Sequence, residues 1–144
     1  AGVEFDDVVS QVEEYQKHTR LFFSLHSLHN LAQNGRVSKV AAAAVGVMNI
    51  RIIGTASPEG TLETISKARG DRRAAAALLD QLREAGWKGG KVRITYVQNE
   101  KTALELQEHL HTVYPQADIT CACAGGLCSY YAENGSLMIG VETE

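Results

Sequence analysis

Apolar positions along the chain switch between helical and strand spacing several times. Val8, Val9, Val12 and Tyr15 recur at helical intervals and predict an amphipathic helix over Val3–His18. The run RLFFSLH, Arg20–His26, predicts a short strand, and SLHNLAQNG, Ser27–Gly35, a short helix stopped at Asn34-Gly35. A small-residue helix is expected over Val37–Met48, where the alanines would permit close backbone approach. NIRIIGTA, Asn49–Ala56, is strand-like, SPEG is a turn, and TLETISKA, Thr61–Ala68, alternates as the returning hairpin strand.

The second half repeats the same alternation of periods. Gly70-Asp71 opens a helix that runs through Ala85 and ends at Gly86, with Asp71 near its positive end. Lys91–Gln98 is a strand, and Glu100–Tyr114 is an amphipathic helix expected to bury Ala103, Leu106, Leu110 and Val113. Ala117–Ala124 and Ser136–Glu142 are the last two strands, joined by a segment, Gly125–Gly135, that reads as a Gly-rich loop. Strands interleaved with helices predict an α/β fold: a two-layer domain with a mixed sheet of about six strands and helices packed mainly on one face.

Bulk properties narrow the partners. A chain of 144 residues is long enough for one domain with a core. A net charge of −3, with cations spread along the chain, argues against nucleic acid, which is bound by a basic patch neutralising phosphates. The sequence holds no apolar run long enough to span a bilayer. It opens on an amphipathic helix pattern rather than on a charged-then-apolar leader, so a cytoplasmic location and missing upstream sequence are both expected. Cys121, Cys123 and Cys128 are odd in number and spaced unlike a zinc site, so they read as reduced, half-buried strand thiols, with no metal and no cofactor expected.

Two groups of cations carry the candidate chemistry. Arg36 follows Gly35 at the joint between two helical patterns. It could bond the carbonyls left open at the preceding helix end, or it could be a fixed cation facing a ligand. Lys67, Arg69, Arg72 and Arg73 cluster near a helix start, where they form either a solvated face or a docking surface.

The order of these pieces resembles the C-terminal domain of the DegV family of fatty-acid-binding proteins. The likeness is carried by Gly35-Arg36-Val37-Ser38-Lys39, then Asn49-Ile50-Arg51-Ile52-Ile53, then Lys67-Ala68-Arg69-Gly70-Asp71, and by the closing GGLCSYYAENGSLMIGVE. It extends over essentially the whole chain. The resemblance implies one domain, residues 1–144, of a two-domain carrier whose N-terminal domain is absent from this sequence. In the family that domain supplies a Ser/Thr-rich carboxylate site, the acyl chain lies in a tunnel, and a fatty acid kinase phosphorylates the presented head group. The implied partners are therefore a long-chain fatty acid, the kinase catalytic subunit and the missing domain. The implied chain is a carrier and not an enzyme.

The resemblance implies that Arg36 orders the head-group site and that the basic cluster takes part in kinase docking. The family's closing loop reads His-Thr-Gly-Pro-Gly. With Gly135 at its final glycine, Tyr131 stands at the histidine, Ala132 at the threonine, Glu133 at the first glycine and Asn134 at the proline. Tyr131, Asn134 and Gly135 thus join Arg36 as expected ligand-binding residues. A tyrosine hydroxyl can donate to a carboxylate but does not titrate near neutrality. Glu133 is expected to add a charge that an anion would not welcome. Two alternatives stand beside this reading. One is a structural or regulatory domain that has lost lipid binding. The other is a dihydroxyacetone-kinase-like enzyme, for which the closing loop offers no matching histidine and the chain no P-loop.

Overall fold

The fold follows from a sheet whose central strands are apolar on both faces. The structure, a computed structural model, describes residues 2–37 and 49–143. The expected small-residue helix over Val37–Met48, including Ser38 and Lys39, lies almost wholly outside the described residues. Six strands form one mixed sheet: β1 (Thr19–Leu25), β2 (Ile50–Ala56), β3 (Leu62–Arg69), β4 (Val92–Val97), β5 (Ile119–Cys123) and β6 (Ser136–Glu142). Their order is β3-β2-β1-β6-β4-β5. All neighbours are antiparallel except β4 and β5. That parallel pair needs a crossover, and the helix between its strands provides one.

The described helices are α1 (Phe5–Lys17), α2 (His29–Gln33), α3 (Asp71–Glu84), α4 (Glu100–Val113) and α5 (Gly126–Ala132). The two long helices α3 and α4 share one face of the sheet. Ala74, Leu78 and Leu82 from α3, and Ala103, Leu106 and Leu110 from α4, pack on Phe22, Ile53, Ile94, Leu137 and Ile139. Leu78 and Leu82 are fully enclosed, so truncating either to alanine would cost about 2–5 kcal/mol. Val113, expected in this stripe, is exposed at the last residue of α4.

On the opposite face, Phe23, Leu25, Ile52 and Val97 meet Leu28, Leu31 and Ala132 from the short helices α2 and α5. Among the described residues, these helices cover one end of that face. Near them, Gly54 sits at a β-bulge in β2, where a Cβ would run into the Phe23 ring and the Glu63 carbonyl. Glycine there lets Phe23 lie flat on the sheet.

One element differs from expectation, and one expected helix lies apart from the core. Gly125–Gly135 is not a loop throughout: Gly126–Ala132 is helical, with Ser129 Oγ donating back to the Ala124 carbonyl at 3.0 Å. The stripe of α1 contacts no core; Phe5, Val8, Val9, Val12 and Tyr15 are all exposed. No helix among the described residues is long and apolar enough to cross a membrane.

Candidate functional site

The site forms where α2 and α5 meet over the half-covered face. Helix α2 ends in a Schellman turn. The Gly35 N–H donates to the Ala32 carbonyl at 3.2 Å, and the Arg36 N–H donates to the Leu31 carbonyl at 2.8 Å. Gly35 has φ +70°, the left-handed conformation this turn requires. The helix end is therefore capped by backbone, and the Arg36 guanidinium does not perform that task. Its Nη1 donates to the Tyr131 hydroxyl at 2.7 Å, and its Cζ stands 4.5 Å from the centre of the Tyr131 ring. Tyr130 meets the same ring edge-on at 5.1 Å.

Arg36 and Tyr131 line a groove of about 320 Å³. Its floor is Phe23, Leu25 and Met138, and its rim includes Leu21, Leu62 and Leu127. Leu127 is 74% exposed on this rim. Among the described residues that line the groove, Arg36 is the one charged side chain. An apolar trough with a single guanidinium and a phenol is matched to an amphiphile with one anionic end.

Asn134 and Gly135 stand elsewhere. Asn134 is exposed and lines a separate polar hollow with Ser27, Asn30 and Glu133. The Gly135 N–H donates to the Val97 carbonyl at 2.8 Å, and its own carbonyl accepts from Asn99 Nδ2 at 2.9 Å. Neither lines the groove shared by Arg36 and Tyr131. The basic cluster is also divided. Lys67 and Arg69 lie on the free edge strand β3, opposite Ile52 and Ile50 in register and so on the face away from α3. Arg72 and Arg73 are exposed in the first turn of α3.

Two charged side chains have partners that the sequence did not reveal. Arg51 is buried, and its Nε donates to Asp71 Oδ1 at 2.8 Å while Nη1 donates to Asn49 Oδ1 at 3.1 Å. A charge in mid-strand was the available signal. Glu133, expected to burden an anion site, accepts from the Asn30 backbone N–H at 2.9 Å. Of the cysteines, Cys121 is half-buried on β5 and burial pushes its thiol pKa up, Cys123 is exposed at the strand end, and Cys128 is on α5, not on a strand.

Fold and groove together define a class: an α/β domain whose described residues leave part of one sheet face as an apolar trough. Comparison with known proteins makes that class specific. A family model described as uncharacterised protein, DegV family, matches residues 1–144. The chain belongs to the DegV family.

A DegV domain-containing protein of Streptococcus pyogenes serotype M3 is 44% identical over 141 residues, 98% of this chain and 50% of that protein. The crystal structure of a DegV family protein from Eubacterium eligens, loaded with heptadecanoic acid, superposes with a TM-score of 0.92 at 48% identity over 99% of this chain and 52% of that one. The Streptococcus pneumoniae fatty acid kinase (Fak) B3 protein, loaded with linoleic acid, gives 0.94 at 43% identity over 99% of this chain and 51% of that one. This chain spans about half the length of the relatives it matches.

Proposed function

We propose that this chain is the half of a fatty-acid carrier that holds the acyl tail and contributes Arg36 to the head-group site. The observation that carries the reading is the Arg36–Tyr131 pair on the wall of an otherwise apolar groove. Burial of each methylene contributes roughly 0.8 kcal/mol, so a long tail supplies gross energy on the order of 10 kcal/mol before ordering costs. That energy is indifferent to the head group. A carboxylate drawn from water needs charge-assisted donors, and the guanidinium fork has the geometry for them. Tyr131 uses its oxygen as acceptor toward Arg36, so its O–H can donate to the same carboxylate.

In this reading a second domain completes the carboxylate site, and Asn134 and Gly135 shape the seam from the flank of the groove. A cytoplasmic fatty acid kinase receives the presented head group, with Lys67, Arg69, Arg72 and Arg73 offering it an exposed cationic surface. The fatty-acid-loaded relatives support the ligand class. Mild extraction of the full-length protein followed by mass spectrometry tests the proposal. Stoichiometric long-chain fatty acid is expected. Purified protein that carries none, and takes up no added linoleic acid, would leave a domain that has lost lipid binding.

A further inference from the structure

We propose that Glu133 is a positioning residue that sets the Arg36–Tyr131 pair by tying α5 to α2. Glu133 has φ +60° and ψ 170°, a backbone region that is essentially reserved for glycine. A side chain there is strained, and such strain persists only where surrounding bonds over-determine it. The Glu133 N–H donates to the Ser129 carbonyl at 3.0 Å within α5, and across the seam the Asn30 backbone N–H donates to Glu133 Oε1 at 2.9 Å, 103 residues away in sequence. Two more links lie on the same seam. Asn30 Nδ2 donates to the Tyr130 carbonyl at 2.7 Å, and Asn34 Nδ2 donates to the Tyr130 hydroxyl at 3.2 Å.

Helices of five and seven residues have little stability of their own, so their relative placement depends on such links and on the small core beneath them. Arg36 leaves α2 at its far end and Tyr131 leaves α5 two residues before Glu133. The 2.7 Å contact between them exists only while the two helices keep this spacing. The Glu133 carboxylate is committed to an amide of α2, so its acceptor oxygen organises the seam.

The affinity part of the test rests on the proposed function; the geometric part does not. Full-length protein would be prepared as wild type, Glu133→Gly and Glu133→Gln. Ligand-free NMR of the Arg36 side chain would read the ring-current shift imposed by Tyr131, calorimetry would read linoleic acid affinity, and scanning calorimetry the Tm. Glu133→Gly is expected to lose at least half of that shift and about tenfold in affinity while its Tm stays level or rises, since glycine relieves the strained backbone. Glu133→Gln keeps the acceptor oxygen and should stay within about twofold of wild type. An unchanged shift in Glu133→Gly, or affinity that falls only in step with Tm, would overturn the inference. Wild type that ignores linoleic acid would sink the fatty-acid reading, and the shift would still decide the role of Glu133.

Discussion

Arg36 donates one guanidinium hydrogen bond to the Tyr131 hydroxyl at 2.7 Å while its backbone N–H closes α2 through the Leu31 carbonyl at 2.8 Å. One residue thus serves two separable purposes. The main chain satisfies the helix end, and the side chain is left to the groove. Substituting the side chain does not touch the cap, so binding and folding can be tested apart.

For Arg36→Ala, the lost interaction is a hydrogen bond from a charged group, worth about 1.5–3 kcal/mol where the carboxylate is desolvated. Linoleic acid affinity of the full-length protein should fall by roughly tenfold to a hundredfold. Stability should change by no more than about 0.5 kcal/mol, because the side chain is exposed and the turn is held by backbone. Arg36→Lys should recover part of the affinity, as a point charge without the planar fork. Calorimetry with parallel thermal melts checks both halves; unchanged affinity in Arg36→Ala would remove Arg36 from the ligand site.

A second test concerns the Arg51–Asp71 link. The Arg51 side chain is 6% exposed and that of Asp71 42% exposed. Asp71→Ala leaves a buried guanidinium still bonded to Asn49 Oδ1 but without its carboxylate and should cost about 2 kcal/mol or more. Arg51→Met replaces the charge with an apolar stem on the core side of the sheet and should cost less. Denaturant midpoints for the two variants give the comparison. Greater damage from Arg51→Met than from Asp71→Ala would show that the guanidinium contributes chiefly through bonds other than this one.

How much of this was open to sequence reading depends on the range of the interaction. The stop at Asn34-Gly35 is a local matter of one left-handed residue, and it was legible. So was the order of strands and long helices, since each carries its own period. Helix α5 was not: glycines at 125, 126 and 135 bracket it, and seven residues give too little period to outweigh them. The Val8–Val12–Tyr15 stripe was read correctly as one helix face, but period says only that a face is apolar and never what lies against it. The pairings of Arg51 and Glu133 were missed for a related reason. Their partners, Asp71 and Asn30, stand 20 and 103 residues away, and nothing local marks the pairing. The Arg36–Tyr131 contact spans 95 residues and entered only through family resemblance.

Acid should loosen the β5 edge of the sheet. Arg93 Nη2 donates to Asp118 Oδ2 at 2.7 Å, and Nη1 donates to the Asp118 carbonyl at 2.9 Å. That hydrogen bond holds the Asp118 carboxyl below its ordinary value. A carboxyl whose folded pKa is depressed adds stability that is present above its unfolded pKa and fades as pH falls through the folded one. The pair is exposed, so the effect is small. Asp118→Asn should therefore lower Tm slightly at pH 7, and the gap should close on acidification below the usual carboxylate range. Melts at matched ionic strength would show it; a gap that widens in acid would mean the sign is wrong.

A thiol on the groove wall should report what occupies it. Three cysteines lie within eight residues but in three settings. Cys121 is half-buried, and the loss of solvation there raises its pKa, so at a given pH it holds less thiolate, the nucleophilic form. It should react slowest with iodoacetamide. Cys123 is exposed and outside the groove, and Cys128 is exposed on α5 and lines the groove beside Leu127 and Tyr131. In ligand-free full-length protein, Cys123 and Cys128 should both be alkylated ahead of Cys121. Saturating linoleic acid should slow Cys128 severalfold and leave Cys123 unchanged, because an acyl chain lying on Met138 and Phe23 would exclude reagent from the same wall. Peptide mapping by mass spectrometry resolves the sites. Equal protection of Cys123 and Cys128 would point to a general tightening of the protein, and no protection of Cys128 would place the lipid somewhere other than this trough.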